Sequence, residues 1–205
     1  IRIRPAADWF TAIIQYLSIG NIIYFALKPV EHTHFVKATV WYWPFENIHD
    51  ARKANLLERT LIIAKPDAVQ RGLTGEIIKR FEQRGLRIIG LKFMQVSQEL
   101  AEKHYDVHRE RPFFNDLVSY IISSPVAVIA LEGTNAIKAA RGTIGATNPA
   151  DSGAGTIRGD YGLEIGRNLV HGSDSPENGL IEVGNFFGDD ELISWDRNTD
   201  SWIFE

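Results

Sequence analysis

Leu61-Ile62-Ile63-Ala64-Lys65-Pro66-Asp67 is the stretch on which the fold of this 205-residue chain turns. Four apolar residues, two of them β-branched, are closed by a lysine and a proline, which reads as a buried strand running into a loop. Downstream, Thr74 can cap a helix through about Arg84 that carries Ile77, Ile78 and Phe81 on one face, and Gly85 stops it. Leu86 to Val96 alternates as a second strand. Ser97 opens a helix with Leu100 and Tyr105, and a further helix after Arg111-Pro112 holds Phe113, Leu117, Tyr120 and Ile121. Val126 to Leu131 is a third strand, followed by a helix from about Asn135 to Arg141. A fourth strand is expected near Asn168 to His171, with a last helix from Pro176 to Phe187. Strands separated by helices in this order predict an α+β fold, a ferredoxin-like four-stranded antiparallel sheet with helices on one face. Doubly wound α/β is the alternative.

The composition is that of a globular protein with a real core, 44% hydrophobic and 23% charged. A net charge of -4 argues against nucleic-acid binding through bulk positive charge, though not against a local cluster of arginines facing phosphate groups. Without cysteine, disulfide scaffolds, thiolate metal sites and cysteine catalysis are excluded. Residues 1 to 57 carry six Lys/Arg against four Asp/Glu, so the negative balance lies in the remainder. Composition shifts at the same place, from aromatic-rich to patterned sequence, which puts a boundary near Arg52 to Leu56. Two parts are expected: residues 1–56 as an amino-terminal extension, helical or extended, and 57–205 as the main domain.

Within the extension, Trp9 to Leu27 is nineteen residues without formal charge, long enough for a helix to cross a bilayer. Trp9, Phe10, Tyr24 and Phe25 suit membrane interfaces. Gln15, Ser18, Gly20 and Asn21 in the middle suit contact with protein instead. A membrane-spanning or membrane-lying helix, a helix docked on protein, and a targeting segment all remain open. Phe35 to Trp43, ended by Pro44, reads as a short strand or extended arm. His32 and His34 lack partners at metal-ligand spacing.

Seven of the 17 glycines fall between Gly142 and Gly166, with Arg141, Arg158 and Arg167 in or beside the stretch. A long loop of this kind is usually functional or disordered. Glycine permits close approach of a ligand, and guanidinium forks suit phosphate oxygens. No Walker-type or dinucleotide-binding glycine pattern and no G-x-S-x-G occurs in suitable context, so the common phosphate-loop folds and serine hydrolases do not fit. The run Arg167-Asn168-Leu169-Val170-His171-Gly172-Ser173-Asp174 then sets one imidazole among small polar neighbours. A neutral histidine is a competent nucleophile at physiological pH, yet taken alone such a residue reads more readily as a surface or capping group.

Taken together, these residues closely resemble the nucleoside diphosphate kinase family. The matching runs are Glu58-Arg59-Thr60, Lys65-Pro66-Asp67, Val69-Gln70-Arg71-Gly72-Leu73, Gly75-Glu76-Ile77-Ile78, Arg111-Pro112-Phe113-Phe114, Thr147-Asn148-Pro149, Gly155-Thr156-Ile157-Arg158-Gly159-Asp160 and Asn168 to Asp174. They cover about Leu57 to Glu205. The resemblance implies a ping-pong phosphotransferase in which His171 takes the γ-phosphate of a nucleoside triphosphate and passes it to a diphosphate. It further implies phosphate contacts from Lys65, Arg141 and Arg158, assisted by Tyr105 and Thr147, and ribose contacts from Asn168 and Lys65. Phe113 would stack on the base with Leu117 beside it. Glu182 would hold the second ring nitrogen of His171, and Ser173 would bond to Glu182. Mg2+ would bridge the nucleotide phosphates, with Asp174 at most a water-mediated ligand. The carboxyl-terminal run from Trp195 to Glu205 resembles the eukaryotic, hexamer-forming members, and His171 to Gly179 is similar to plastid forms. A homo-oligomer and an organellar, membrane-associated location are the corresponding expectations. The other reading is a structural or docking subunit of a larger assembly, tethered through residues 1–56. Ala68, Gly153-Ala154 and Phe186 depart from the family pattern, which has glycine, Lys-Pro and tryptophan there.

Overall fold

The computed structural model describes residues 13–19, 22–28 and 57–203. The chain divides into two units, Ile1–Arg52 and Lys53–Glu205. In the first, β1 (Ile13–Ile19) and β2 (Ile22–Lys28) pair antiparallel, with Ile19 opposite Ile22 and Ile13 opposite Lys28. This corrects the expectation of one helix over Trp9 to Leu27. Both segments are rich in isoleucine and aromatic residues, which favour extended backbone, and the register leaves Gly20-Asn21, a hairpin-type pair, between them. Among the described residues no helix is long and apolar enough to cross a membrane. The expected arm at Phe35 to Trp43 and the His32/His34 pair lie outside the described residues.

The second unit is built on β3 (Leu57–Ala64), β4 (Arg87–Met94), β5 (Val126–Thr134) and β6 (Val170–Gly172). They form one sheet in the order β4-β5-β3-β6, antiparallel at every pairing. This is the ferredoxin-like α+β arrangement expected, not a doubly wound sheet. The helices are α1 (Pro66–Gln70), α2 (Thr74–Gln83), α3 (Gln98–His104), α4 (Phe114–Ile121), α5 (Ala136–Ile144), α6 (Ile157–Tyr161) and α7 (Pro176–Phe186).

Helices cover both faces of the sheet, not one. Leu61 and Ile63 of β3 join Val126, Val128 and Ala130 of β5 in a core closed by Ala101, Val118, Ile121 and Val183. Ile62 and Ala64 point the other way, joining Ala127, Ile129 and Leu131 in a second core under Ile77, Phe81, Ala140 and Ile144. A strand buried on both sides reads as a continuous apolar run, which is why Leu61 to Ala64 shows no alternation. Helix patterns, in contrast, give no sign of which sheet face they cover.

Local details also differ from expectation. Lys65-Pro66-Asp67 opens a short helix, not a loop, with Pro66 in the first turn where its missing N–H costs nothing. Ala68, where the family pattern has glycine, is a buried member of that helix, a position that suits alanine. Thr74 is the first helical residue, not the cap; Leu73 precedes it already near the helical region, so no side chain caps α2. The stretch 142–166 is more ordered than a glycine-rich loop. Asn148 caps a turn at Pro149–Asp151, and Thr156 caps α6 by accepting from the Gly159 amide. Arg80 ties it down through Asp160 and the Gly155 carbonyl.

Candidate active site

Two chain features place His171. It lies in β6, paired opposite Ile63 of β3, so the central strand fixes its backbone. Two residues earlier, Leu169 adopts a left-handed conformation with φ 69° while fully buried. Such backbone costs of order 1–3 kcal/mol and persists only when its surroundings hold it. Asp67 does so, its Oδ2 accepting from the Leu169 amide at 3.0 Å, and the Leu169 carbonyl accepts from the Lys65 amide at 2.8 Å. The start of α1 therefore clamps the approach to His171.

On the other side, α7 packs on β3, and Gly179 lies so close to the Arg59 carbonyl that no Cβ would fit. That approach carries Glu182 to His171, Oε2 to Nε2 at 3.1 Å. Ser173, fully buried, accepts from the Leu61 amide at 3.0 Å and donates its hydroxyl proton to Glu182 Oε2 at 2.5 Å. Burial alone would raise the Glu182 carboxyl, but hydrogen bonds from His171 and Ser173 outweigh it and hold the group below the ordinary carboxylate range. An ionised carboxylate only accepts, so His171 Nε2 carries the proton and Nδ1 holds the free lone pair. Nδ1 has no hydrogen bond among the described residues, and the His171 side chain is 21% exposed.

Cationic groups gather nearby. Lys65 Nζ donates to Asn168 Oδ1 at 2.8 Å, and Asn168 Nδ2 donates to the Thr147 carbonyl at 2.9 Å. Burial, reinforced by the Arg158 charge, lowers the Lys65 ammonium to about 8. Arg141 Nη1 reaches the Gly172 carbonyl at 3.4 Å, and the Thr147 side chain stands exposed beside this loop. Arg158 is different in kind. It is buried, and it donates to the carbonyls of Asn168, Val170 and Ala146 at 3.0, 2.7 and 3.1 Å. It therefore clamps the loop that carries Asn168 and His171. Burial beside Arg141 lowers its guanidinium to about 10, which leaves it charged at neutral pH.

Tyr105, at the end of α3, is buried with its hydroxyl unpartnered, and desolvation pushes that phenol up to about 12. Phe113 sits 48% exposed just before α4, with Leu117 half-buried one turn on and His108 5.7 Å away ring to ring. Asp174 is exposed, its Oδ1 accepting from Asn178 at 2.7 Å. Sequence reasoning missed Asp67 as the clamp on Leu169 and missed His104, whose ring meets that of His171 edge-on at 4.5 Å. Phe186, the departure from the family's tryptophan, meets His104 edge-on at 5.5 Å between ring centroids. The Lys-Pro-Asp motif pointed to Asp67; nothing in the sequence pointed to His104.

A family model for nucleoside diphosphate kinase matches residues 58–192. A nucleoside diphosphate kinase of Herpetosiphon aurantiacus is 60% identical over 149 residues, 73% of this chain and all of that one. That of Roseiflexus castenholzii is 58% identical over the same share of each. Among solved structures, a halophilic nucleoside diphosphate kinase from Halobacterium salinarum in complex with CDP superposes with a TM-score of 0.70 at 48% identity, covering 72% of this chain and 99% of that one. A family member from Babesia bovis gives the same TM-score at 45% identity. With its fold, its histidine–carboxylate pair and these relatives in agreement, this chain belongs to the nucleoside diphosphate kinase family.

Proposed function

We propose that His171 carries the phosphoryl group in a ping-pong transfer between nucleotides. The observation that carries this reading is the Ser173–Glu182–His171 chain, which protonates Nε2 and leaves Nδ1 as the nucleophile. The Nδ1 lone pair attacks the γ-phosphorus of a bound triphosphate. The bond to the β,γ-bridging oxygen breaks, the diphosphate leaves, and a second diphosphate then takes the group from Nδ1 by the reverse step. Positive charge that builds on the imidazole faces the Glu182 carboxylate. Lys65 and Arg141 face the phosphates, and positioning plus charge stabilisation supply most of the rate. Arg158 contributes its charge and the rigidity of the loop; Tyr105 and Thr147 add hydroxyl donors. Asn168 with Lys65 takes the ribose, and Phe113 with Leu117 takes the base face, a contact that tolerates every base.

Magnesium fits this site only through the nucleotide. It prefers oxygen ligands, and among the described residues the one converging group of potential ligands contains two imidazoles. Bound to the phosphates, with Asp174 reached through water, it would neutralise charge on the transferring group.

Labelled ATP should leave acid-labile, base-stable phosphate on the protein. A His171→Ala variant that still transfers phosphate at the normal rate would sink the assignment.

Assembly and location belong to the same proposal. Strand β4 is an edge of the sheet, and its Leu91 and Phe93 are 55% and 67% exposed, which supports packing against further copies, a hexamer being the family-like outcome. Light scattering reads the mass. Residues 1–56 are proposed as a separate docking segment that places the kinase on an organellar membrane or a larger assembly, supported by the uncharged run Trp9 to Leu27 and by a family match that begins at residue 58. Equal solubility and equal freedom from partners in the full chain and in a version starting at Leu57 would refute that.

A further inference from the structure

We infer that His104, His171 and Glu182 form a binding site for a borderline divalent transition metal ion such as Zn2+, and that its occupation silences the nucleophile. The starting point is His104. Only 9% exposed, it has both ring nitrogens buried, and neither meets a hydrogen-bond partner among the described residues. Buried polar atoms are almost always paired, and an orphan of this kind marks the place of a water or an ion. The orphaned ring does not face apolar packing alone. It meets His171 edge-on, and the ligand-capable atoms of His104, His171 and Glu182 all lie within 4.8 Å of one another.

Two imidazoles and one carboxylate are the donor set of a catalytic-type zinc centre, with a fourth position left for water. The same set suits Cu2+ or Ni2+ and is a poor one for Mg2+, which prefers oxygen. The site is thus chemically distinct from magnesium carried on nucleotide phosphates. Lys65, whose charge also reaches His104, opposes a cation; the Glu182 carboxylate compensates.

The consequence follows from the atoms. A metal on Nε2 of His171 takes the place of the proton now shared with Glu182 Oε2, and in the neutral ring that proton moves to Nδ1. Nδ1 then has no free lone pair with which to attack phosphorus. Binding itself does not depend on phosphotransfer, so its test reads the metal directly.

Metal-stripped full-length protein is titrated with Zn2+ against a chromophoric chelator, beside a His104→Gln variant whose fold is checked by circular dichroism. Wild type should hold a zinc ion that the variant binds about 100-fold more weakly, the upper scale of loss for disturbing even the outer shell of a metal site. Should the variant fail to fold, Co2+ added to wild type supplies the second measurement: this site predicts the intense visible absorption of a four-coordinate ion. In phosphotransfer assays with excess Mg2+, added zinc should inhibit wild type and leave His104→Gln less affected. Equal zinc affinity in the two proteins places the metal elsewhere, for instance on His32 and His34, and overturns the inference, as does the absence of the cobalt band. Zinc bound as expected in a protein without kinase activity would leave this site standing and overturn the phosphohistidine reading instead.

Discussion

Replacing Glu182 by glutamine tests the tautomer argument more sharply than deleting it. An amide can turn either its oxygen or its NH2 to His171, and the wrong choice would place the imidazole proton on Nδ1 and abolish nucleophilicity. Ser173 decides the matter. Its oxygen accepts from the Leu61 amide, and its one proton is donated to the same Oε2 that faces His171 Nε2. As long as Ser173 keeps that donation in Glu182→Gln, the amide oxygen takes the position and the reactive tautomer is preserved. What is lost is charge. A hydrogen bond to an ionised group contributes about 1.5–3 kcal/mol against about 0.5–1.5 for a neutral one, so the imidazolium forming in the transition state loses about 1–2 kcal/mol. At 1.36 kcal/mol per decade this is about a 5- to 30-fold slower single-turnover phosphorylation of His171 by ATP, measured by rapid quench. Adding Ser173→Ala frees the amide to turn over, and the double variant should lose far more than the product of the single effects. A rate within twofold of wild type for Glu182→Gln would refute the role of the charge. A loss of four decades in that single variant would refute the claim that Ser173 sets the amide.

Lys65, lowered from 10.5 to about 8 by burial and by Arg158, gives two pH signatures of opposite sign. As it deprotonates, kcat/KM should fall above about pH 8, whereas its contribution to stability should rise between about 8 and 10.5, where the unfolded chain binds more protons; pH–rate profiles and urea melts of wild type and Lys65→Met check both limbs. Phe113→Ala should raise the nucleotide KM about 5- to 150-fold through lost base stacking while changing stability by less than about 0.5 kcal/mol, because about half of the residue already lies in solvent. A large loss of stability with unchanged KM would make the ring a packing residue. Arg158→Lys should destabilise by about 2–3 kcal/mol in urea, since one ammonium cannot replace a fork that serves the carbonyls of Asn168, Val170 and Ala146, the first two through buried bonds; a change below about 0.5 kcal/mol would show that the clamp is dispensable.

Much of the fold was legible along the chain. Leu61 to Ala64, Leu86 to Val96 and Val126 to Leu131 announce strands through apolar and β-branched runs, and the observed elements start and stop within a few residues of those limits. The failures have physical causes. Trp9 to Leu27 has the length and hydropathy of a helix, but isoleucine-rich halves around Gly20-Asn21 pair as strands, and composition alone does not separate the two. Pro66 ends a strand and opens a helix with the same fixed φ, so a loop and a helical turn look alike there.

The residue types of the site, one histidine with a lysine, arginines and a distant glutamate, are a property of the sequence, because each is a chemical group whatever its surroundings. Their states are not. Which nitrogen of His171 holds the proton depends on a carboxylate held by a serine hydroxyl, which is itself positioned by a strand amide 112 residues away. Whether Arg158 meets ligand or main chain depends on the loop folding around it, and His104 joins the site only because α3 lays its ring against β6. Hydrogen bonds and desolvation act over a few ångströms in space, a distance that position along the chain does not encode; that is why tertiary structure alone decided them.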